Sequence, residues 1–191
     1  MTGNLHDVPD PRLRFAATRA VFEFEDGRGM FFDDSRTLGK IHLRKATEIE
    51  GLLHNVGPEP SEITAAEFVA SAKKSRKPAK VFLMDQKHVS GLGNIYAAEA
   101  LFQAGIHPAR VIQSISTARL ARLHQTCVSV LEVAIESAER AYRDPGFFAE
   151  GENFLVNVYD REGEPCHGCG RAIQRIPQGG RSTYFCAKCQ H

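Results

Sequence analysis

The sequence lacks any apolar run that approaches the ~20 residues of a membrane-spanning helix, so it predicts no such helix. Its first ten residues, MTGNLHDVPD, lack the basic-then-apolar pattern of a secretory signal. It contains no internal repeat and no low-complexity tract. The apolar content of 42% is enough for a core. These absences favour a folded chain with one large domain or two small ones.

Net charge is also nearly absent, at +1, but the two ends of the chain differ in sign. Residues 1–70 carry 8 Lys and Arg against 12 Asp and Glu, whereas residues 71–191 carry 16 against 11. The positive excess is densest in a short cluster without acidic residues: Lys73, Lys74, Arg76, Lys77 and Lys80. Such a cluster is usually a solvated face. The arginines of the C-terminal segment make a surface for phosphates the better interpretation.

Four of the five cysteines form two CxxC motifs near the C-terminus: Cys166, Cys169, Cys186 and Cys189. The segment between them predicts a β-hairpin that turns at Gly179–Gly180 and returns over residues 181–185. Two such motifs on a hairpin deliver four thiolates to one point, as tetrahedral zinc requires. Two structural disulfides are the alternative, but paired CxxC motifs usually indicate zinc. We therefore predict one structural Zn²⁺, and its reduced thiolates indicate a cytoplasmic location.

The remaining pattern changes from strand-like to helical along the chain. Apolar and polar residues alternate within 19–43, which predicts β structure with a turn at Asp26–Gly27 and a last short strand at KIHL. Residues 44–60 are polar and predict a linker. Helices are predicted from Thr64, which has capping-box spacing to Glu67, and after Pro78. A third is predicted over IYAAEALFQ, with Asn94 as its N-cap. A longer helix follows over residues 116–140, with Cys127 on its apolar face, and the segment NFLVNVY predicts a further strand.

The turn VSGLGN joins two of these helices and is a candidate phosphate site. Gly91 and Gly93 would let the backbone approach a ligand closely, and Asn94 stands where the next helix begins. A helix N-terminus has amide groups without intrahelical acceptors and binds anions readily. An ordinary turn with an N-cap is the alternative. The neighbouring basic cluster and the cysteine hairpin favour the phosphate interpretation.

Two segments resemble a known family. The stretch LMDQKHVSGLGNIYAAEALFQAGIHP is similar to the helix-two-turn-helix segment of formamidopyrimidine-DNA glycosylases, the Fpg/Nei group of base-excision repair enzymes. The stretch VYDREGEPCHGCGRAIQRIPQGGRSTYFCAKCQ resembles their C-terminal zinc finger, and MTGNL, FEFEDGR and DDSRTLGKIHL have upstream counterparts in the same order. The resemblance implies an α+β fold: a partial β-sandwich (1–50), a helix-two-turn-helix domain (61–150) and a zinc finger (154–191).

The resemblance implies a bifunctional DNA glycosylase/AP lyase. Such an enzyme removes oxidised purines, 8-oxoguanine or formamidopyrimidine, and cleaves the strand by β,δ-elimination. The implied partner is double-stranded DNA containing damaged bases or abasic sites, bound by a monomer, with no membrane partner. The implied location is the cytoplasm of a bacterial-type cell, in association with the nucleoid.

The family motifs also imply roles for individual residues. Asn94 would hold a phosphate beside the lesion. Arg181 would reach the flanking phosphates and promote the second elimination, for which a planar guanidinium suits two oxygens at once. Lys87 matches a lysine on the lesion side and is a further catalytic candidate. Met1 corresponds to a residue that wedges into the base stack, and Arg36 to the arginine that faces the orphaned base.

The sequence departs from the family pattern at three places. Leu38 stands where the family has a void-filling phenylalanine, and Asp160 replaces a usual glycine. The family's N-terminal proline nucleophile and the glutamate after it are absent, so we expect no base excision by the chain as given. Either the chain is a truncated form of a family member, or it has lost base excision and kept the DNA-binding half. Weak cleavage at abasic sites by the Met1 amine or Lys87 is a hypothesis, and its alternative is that both amines are merely solvated.

Loss of that segment would also leave residues 1–50 marginally stable or self-associating, with exposed apolar faces at Phe22, Phe24 and Phe31. Two other functions stay open. One is a non-catalytic module that binds bent or damaged DNA, and the other is a zinc-ribbon interaction factor without a DNA role. The GxGN turn together with Arg181 argues against the second.

Overall fold

The computed structural model describes residues 3–8, 12, 16–143 and 155–191. The chain separates into two compact units, residues 1–49 and residues 50–191. Within the described residues, no helix is both long enough and apolar enough to cross a membrane. The fold combines helices with small antiparallel sheets, which confirms the predicted α+β class. The three-domain division stays a prediction.

The first unit is built on an antiparallel sheet of three strands. These are β1 (Gly3–Val8), β2 (Thr18–Glu23) and β3 (Gly29–Asp34), in the order β1-β3-β2. The predicted turn between β2 and β3 forms, because the Gly27 amide donates to Phe24 O over 3.0 Å and Gly27 adopts a φ of +85°.

The apolar faces predicted to be exposed in this unit are only partly so. Phe24 is 44% exposed and Phe22 is half-buried, whereas Phe31 is fully buried. The prediction for Phe31 was therefore wrong, because this central-strand side chain points into the small core. Among the described side chains of the unit, Phe31 is the one large apolar group that is completely buried.

The second unit begins with helices. They are α1 (Ala46–Leu53, which starts in the first unit), α2 (Ala65–Lys73), α3 (Ala79–Leu83), α4 (Asn94–Gln103) and α5 (Thr117–Arg143). The capping box forms as predicted: the Glu67 amide donates to Thr64 Oγ1 over 3.2 Å, and the Thr64 amide donates to Glu67 Oε2 over 2.8 Å. Short 3₁₀ turns occupy Pro60–Glu62 and Ile112–Ser114.

The core of this unit lies among α2, α3, α4 and α5. Its largest buried side chains include Phe68, Phe82, Leu101, Leu120 and Leu123, and each is completely inaccessible. Cys127 is also buried in this cluster, which confirms its predicted core position, and burial raises the pKa of its thiol. The helices therefore form a rigid base for the loops between them.

The C-terminal hairpin consists of β4 (Gln174–Gln178) and β5 (Arg181–Phe185), paired in antiparallel register. Gly179 and Gly180 make the predicted turn, and both adopt positive φ. A second apolar cluster packs this module against α4. It is centred on Ala98, Val158, Ile173 and Cys186, with Phe102 beside them.

Several predicted elements differ in the structure. KIHL (40–43) is irregular and residues 46–53 of the predicted linker are helical. The described part of NFLVNVY, residues 155–159, is also irregular, and its remainder lies outside the described residues, as does the predicted helix stop at residues 144–146. An extended segment becomes a strand only when a neighbouring strand takes up its backbone hydrogen bonds, and these segments have none in the described chain.

Candidate nucleic-acid interface and metal centre

The four cysteines of the two CxxC motifs come together as predicted. Their sulfur atoms all lie within 4.8 Å of one another. Cys166 Sγ and Cys189 Sγ are 3.9 Å apart, and Cys169 Sγ and Cys186 Sγ are 3.4 Å apart. Four thiolates bound to one tetrahedral zinc at about 2.3 Å would place their sulfurs about 3.8 Å apart. The donor set and its spacing therefore fit a closed, structural zinc site.

Tight turns at each motif aim the sulfurs inward. The Gly170 amide donates to Cys166 O over 2.8 Å, and Gly170 adopts a φ of +73°. In the second motif, the Cys186 amide donates to Gln190 Oε1 over 2.9 Å. Gln190 is 1% exposed and donates its Nε2 to Ile106 O over 3.0 Å. The metal centre is thus attached directly to the loop after α4.

The start of α4 is joined to the hairpin by Asn94. The helix begins at Asn94 with Gly93 as its N-cap, so Asn94 is its first helical residue and not the cap that the sequence predicts. Asn94 Nδ2 donates to Ser182 O over 3.2 Å. Its Oδ1 is buried and makes no hydrogen bond among the described residues. Asn94 therefore joins the helix start to β5.

Lys80 on α3 reaches the same point of the hairpin from the other side. Its Nζ donates to Ser182 O over 2.9 Å and to Thr183 Oγ1 over 2.7 Å, and the residue is 1% exposed. Burial, and after it the positive charge of Arg181, lowers the pKa of Lys80 to about 8. The carbonyl of Ser182 thus accepts from two helices at once.

Arg181 lies next to this junction, at the start of β5. It is exposed, and its side chain makes neither an ion pair nor a hydrogen bond with any described residue. A cavity of about 300 Å³ opens beside it, between α3 and the hairpin turn. Its lining includes Lys80, Met84, Asp85, Gly179 and Arg181. Arg181 thus has a fixed backbone and an unpaired guanidinium, an arrangement suited to binding phosphate oxygens.

A buried carboxylate fixes the segment that leads into the cysteine module. Glu99 on α4 is completely buried. Its oxygens accept hydrogen bonds from the amides of Asn157, Val158 and Tyr159 over 2.8 to 3.0 Å, and from Asn157 Nδ2 over 3.0 Å. Hydrogen bonds to a charged acceptor are stronger than neutral ones. Glu99 therefore holds this segment on α4 without any regular secondary structure.

The other predicted site residues are Lys87, Arg36, Leu38 and Met1, and they come from separate parts of the sequence. Lys87 is exposed in the turn between α3 and α4, and its amide donates to Asp85 Oδ1 over 3.1 Å. Arg36 and Leu38 lie in a loop after β3, where Leu38 is 70% exposed. Met1 lies outside the described residues.

The loop that carries Arg36 and Leu38 is held by a buried acid. Asp34 is 2% exposed, and its carboxylate accepts from the amides of Arg36 over 3.2 Å and Gly39 over 2.6 Å. Thr37 between them adopts a φ of +54°, a conformation that residues with a Cβ seldom take. The loop is thus a closed turn with both side chains on its outside.

Asp160 shows why glycine is usual at its position in the family. Its φ is +56°, in the left-handed region where glycine is favoured and where Asp and Asn are the best-tolerated alternatives. Its Oδ1 also accepts from the Tyr184 hydroxyl over 3.1 Å. The substitution is therefore compatible with the turn and adds a bond to β5.

The basic cluster of α2 and α3 does not act as a single phosphate surface. Lys80 is buried, Lys73 Nζ donates to the carbonyls of Gln113 and Ile115, and Lys77 is paired with Asp85. The prediction was therefore wrong for these three lysines, because each has a partner in the protein. Lys74 and Arg76 are the exposed remainder.

Sequence reasoning missed Glu99 entirely and misassigned Lys80. Glu99 lies within a helix whose neighbours are apolar, and its acceptor role depends on amides 58 to 60 residues away. A charged residue within the apolar stretch AEALF was the available signal for Glu99. The available signal for Lys80 was the apolar run VFL, which directly follows this residue in a short predicted helix.

Comparison with known proteins agrees with this arrangement. Residues 56–145 match the formamidopyrimidine-DNA glycosylase H2TH domain, and residues 163–191 match the zinc finger found in FPG and IleRS. That match and the four-sulfur geometry identify the cysteine cluster as the site of one structural zinc ion.

Whole proteins are similar as well. Formamidopyrimidine-DNA glycosylase of Synechocystis sp. is 39% identical over 199 residues, which cover 100% of this chain and 69% of the relative. A structure of MutM in complex with carbocyclic 8-oxo-G containing DNA aligns with a TM-score of 0.85 at 28% identity, covering 100% of this chain and 72% of the other. Lactococcus lactis Fpg bound non-covalently to DNA containing an AP site aligns with a TM-score of 0.87 at 28% identity and the same coverage. The chain belongs to the formamidopyrimidine-DNA glycosylase family.

Proposed function

We propose that this protein acts in base-excision repair by binding duplex DNA that contains oxidised purines or abasic sites. The observation that carries the proposal is the double hydrogen bond to Ser182 O from Asn94 and Lys80. It fixes the backbone beside Arg181 against the start of α4. A helix N-terminus and an unpaired guanidinium then face the same ligand, and both favour phosphate.

Gly93 supports a close approach of phosphate at this point. Its φ of −94° is accessible to any residue, and a Cβ added there would meet no atom within 4 Å. The fold itself therefore does not require glycine at this position. A ligand that comes within contact distance of the backbone would require it. The amides of Asn94 and Ile95, which have no intrahelical acceptor, would be its donors.

The DNA in similar solved structures supports the choice of ligand. The MutM structure contains DNA with carbocyclic 8-oxo-G, and the Lactococcus lactis structure contains DNA with an AP site. We assign Arg181 to the phosphates that flank the lesion and to promotion of the second, δ elimination. Lys87, exposed in the turn before α4, is assigned to the lesion side of the same surface.

The first unit would supply the groups that enter the base stack. Arg36 would face the orphaned base, and the exposed Leu38 would fill part of the void without aromatic stacking. Met1 would act as the wedge. One protein molecule per lesion is expected, because these contacts belong to a single chain.

Borohydride trapping tests the chemistry. An amine that attacks the sugar C1′ of a damaged nucleotide displaces the base and then opens the sugar ring, whereas at an abasic site it condenses with the C1′ aldehyde and releases water. Both routes give an imine, which borohydride reduces to a stable covalent link. Two duplexes should be used, one with 8-oxoguanine and one with an abasic site, each at low and moderate salt. An adduct on both duplexes is the result expected of a glycosylase/lyase.

The other outcomes separate the alternatives. An adduct on the abasic duplex alone would mean lyase chemistry without base excision. Tight binding to damaged duplex without any adduct would mean a non-catalytic damage-recognition protein. If neither duplex is bound more tightly than an undamaged one, the DNA-repair function is wrong for this chain, and a zinc-ribbon interaction role takes its place.

A further inference from the structure

We infer that a second phosphate-binding surface lies on the opposite side of the Lys77–Asp85 ion pair from Arg181, and that it binds the backbone of the same DNA duplex beyond the lesion. The surface, called here the α2–α3 pocket, is a shallow depression of about 470 Å³. Its lining residues are Lys74, Ser75, Arg76, Lys77 and His88. The inference rests on the proposed DNA-binding function.

The charge of the α2–α3 pocket is positive and uncompensated. Lys77 is neutralised by Asp85, whose carboxylate has a lowered pKa because Lys77 and the Lys87 amide donate to it. Lys74 and Arg76 are exposed, and neither side chain is paired with any described residue. Two unpaired cations therefore border one depression that contains no free carboxylate among the residues lining it.

The walls of the α2–α3 pocket are fixed, although its two cations are exposed. The His88 ring stacks on Phe82 with the centroids 4.8 Å apart and 22° between the planes, and Phe82 is fully buried. Ser75 is 7% exposed, and its Oγ accepts from the Lys77 amide over 3.3 Å. A pocket with fixed walls and two exposed cations at its rim suits phosphate oxygens better than an apolar ligand.

The α2–α3 pocket adjoins the cavity beside Arg181. Asp85 lines the cavity beside Arg181, and its ion-pair partner Lys77 lines the α2–α3 pocket, so a single ion pair forms the wall between the two depressions. Lys87 is exposed on the turn that leads from His88 to Asn94. Arg181 borders one depression and Lys74 and Arg76 border the other, so exposed cations lie on both sides of this ion pair.

The test measures how DNA binding depends on salt for the variant K74A/R76A. Loss of each phosphate contact should reduce the magnitude of the slope of log K against log salt by about 0.9. On a long duplex, the slope of the double variant should therefore be smaller in magnitude by about 2. On a duplex that covers only the lesion and its flanking phosphates, the slope should be unchanged. The variant K74R/R76K keeps both charges and should behave as the unchanged protein does on each length.

Two results would overturn the inference. One is an unchanged slope for K74A/R76A at every duplex length. The other is an equal decrease at every length, which would assign both cations to the lesion site. Failure of the proposed function is distinguishable, because the unchanged protein would then show no preference for damaged duplex. Thermal unfolding of each variant should match that of the unchanged protein, since both side chains are exposed.

Discussion

Arg181 has an unusual combination of a fixed backbone and an unpaired side chain. The carbonyl oxygen of its neighbour Ser182 accepts hydrogen bonds from both Asn94 and Lys80. The start of β5 is therefore held by two helices, α3 and α4. The guanidinium itself is exposed. Because the anchoring does not use the charge, removal of the side chain should affect the ligand and leave the fold intact.

We expect Arg181→Ala to weaken binding to damaged duplex equally for different lesions, because phosphates carry no base information. The slope of log K against log salt should decrease by about 0.9 for each phosphate that Arg181 contacts. Fluorescence anisotropy with 8-oxoguanine and abasic duplexes at several salt concentrations measures both quantities. Arg110→Ala removes another exposed positive charge and is the matched control. A change in lesion preference would contradict the assignment.

Lys80 makes stability depend on pH in the alkaline range. Its pKa is about 8 in the folded protein and about 10.4 in an unfolded chain. Between these values the unfolded state binds more protons than the folded state, so the free energy of unfolding should rise with pH, by up to about 3 kcal/mol. Below pH 8 the lysine is charged in both states and contributes no pH dependence.

Comparison with Lys80→Met isolates this contribution. Denaturant unfolding with zinc present at pH 7.5 and at pH 10 should show the unchanged protein gaining stability relative to the variant as the pH rises. The comparison removes the titration of other groups, which both proteins share. An equal response of both proteins to pH would show that the ammonium is not desolvated in the folded state.

The C-terminal segment (residues 157–191) and the helices α3 and α4 stabilise each other through polar groups as well as apolar ones. Glu99 needs the amides of residues 157–159, and Lys80 needs Ser182 and Thr183. Both side chains are buried, so either one left without its partners would carry a large desolvation cost. The stability of the helices should therefore depend on the zinc module.

Removal of zinc by a chelator should lower the thermal midpoint of the helices, and not only unfold the hairpin. The far-UV circular dichroism of α5 should persist at low temperature, because its core contacts lie with α2 and α4. A helical melting curve followed at 222 nm, with and without chelator, measures the effect. Addition of zinc should restore the thermal midpoint. The same midpoint with and without zinc would show that the helices and the zinc module are energetically independent.

The two compact units differ greatly in how much apolar surface they bury. The core of residues 50–191 contains a large cluster across four helices, whereas Phe31 is the one fully buried large apolar side chain described in residues 1–49. Leu38, Ile41 and Leu43 are 70%, 52% and 93% exposed. Local opening should therefore be much easier in the first unit.

Light trypsin digestion should first cut after Arg44 or Lys45, where described residues 35–49 are all exposed. The resistant fragment should begin near residue 45 and contain α2 to β5. Mass spectrometry identifies it. The variant R44Q/K45Q should delay the first cut, and initial cleavage within residues 60–140 would show that the helical unit is the weaker one.

Much of the local structure was determined by sequence alone. The zinc ligands depend on CxxC spacing, the hairpin turn on Gly179–Gly180, and the start of α2 on Thr64 and Glu67 three residues apart. These features involve neighbouring residues, so their geometry is set by backbone conformation and a few side-chain bonds. Similarity to the family located Asn94 and Arg181 as well, without indicating that Asn94 donates to the carbonyl beside Arg181.

Tertiary structure alone decided which polar groups are buried and what they bind. The Lys80–Ser182 hydrogen bond joins residues 102 apart in the sequence, and the Asn94–Ser182 hydrogen bond joins residues 88 apart. Contacts between such distant residues produce no periodic pattern in the sequence. KIHL had strand-like composition but found no pairing partner in the described chain, so it stayed irregular. A charged residue in a basic cluster is predicted to be solvated unless its environment is known, because burial depends on what packs over it. That is why the sequence placed Lys80 on the surface, whereas the fold uses it to hold the hairpin.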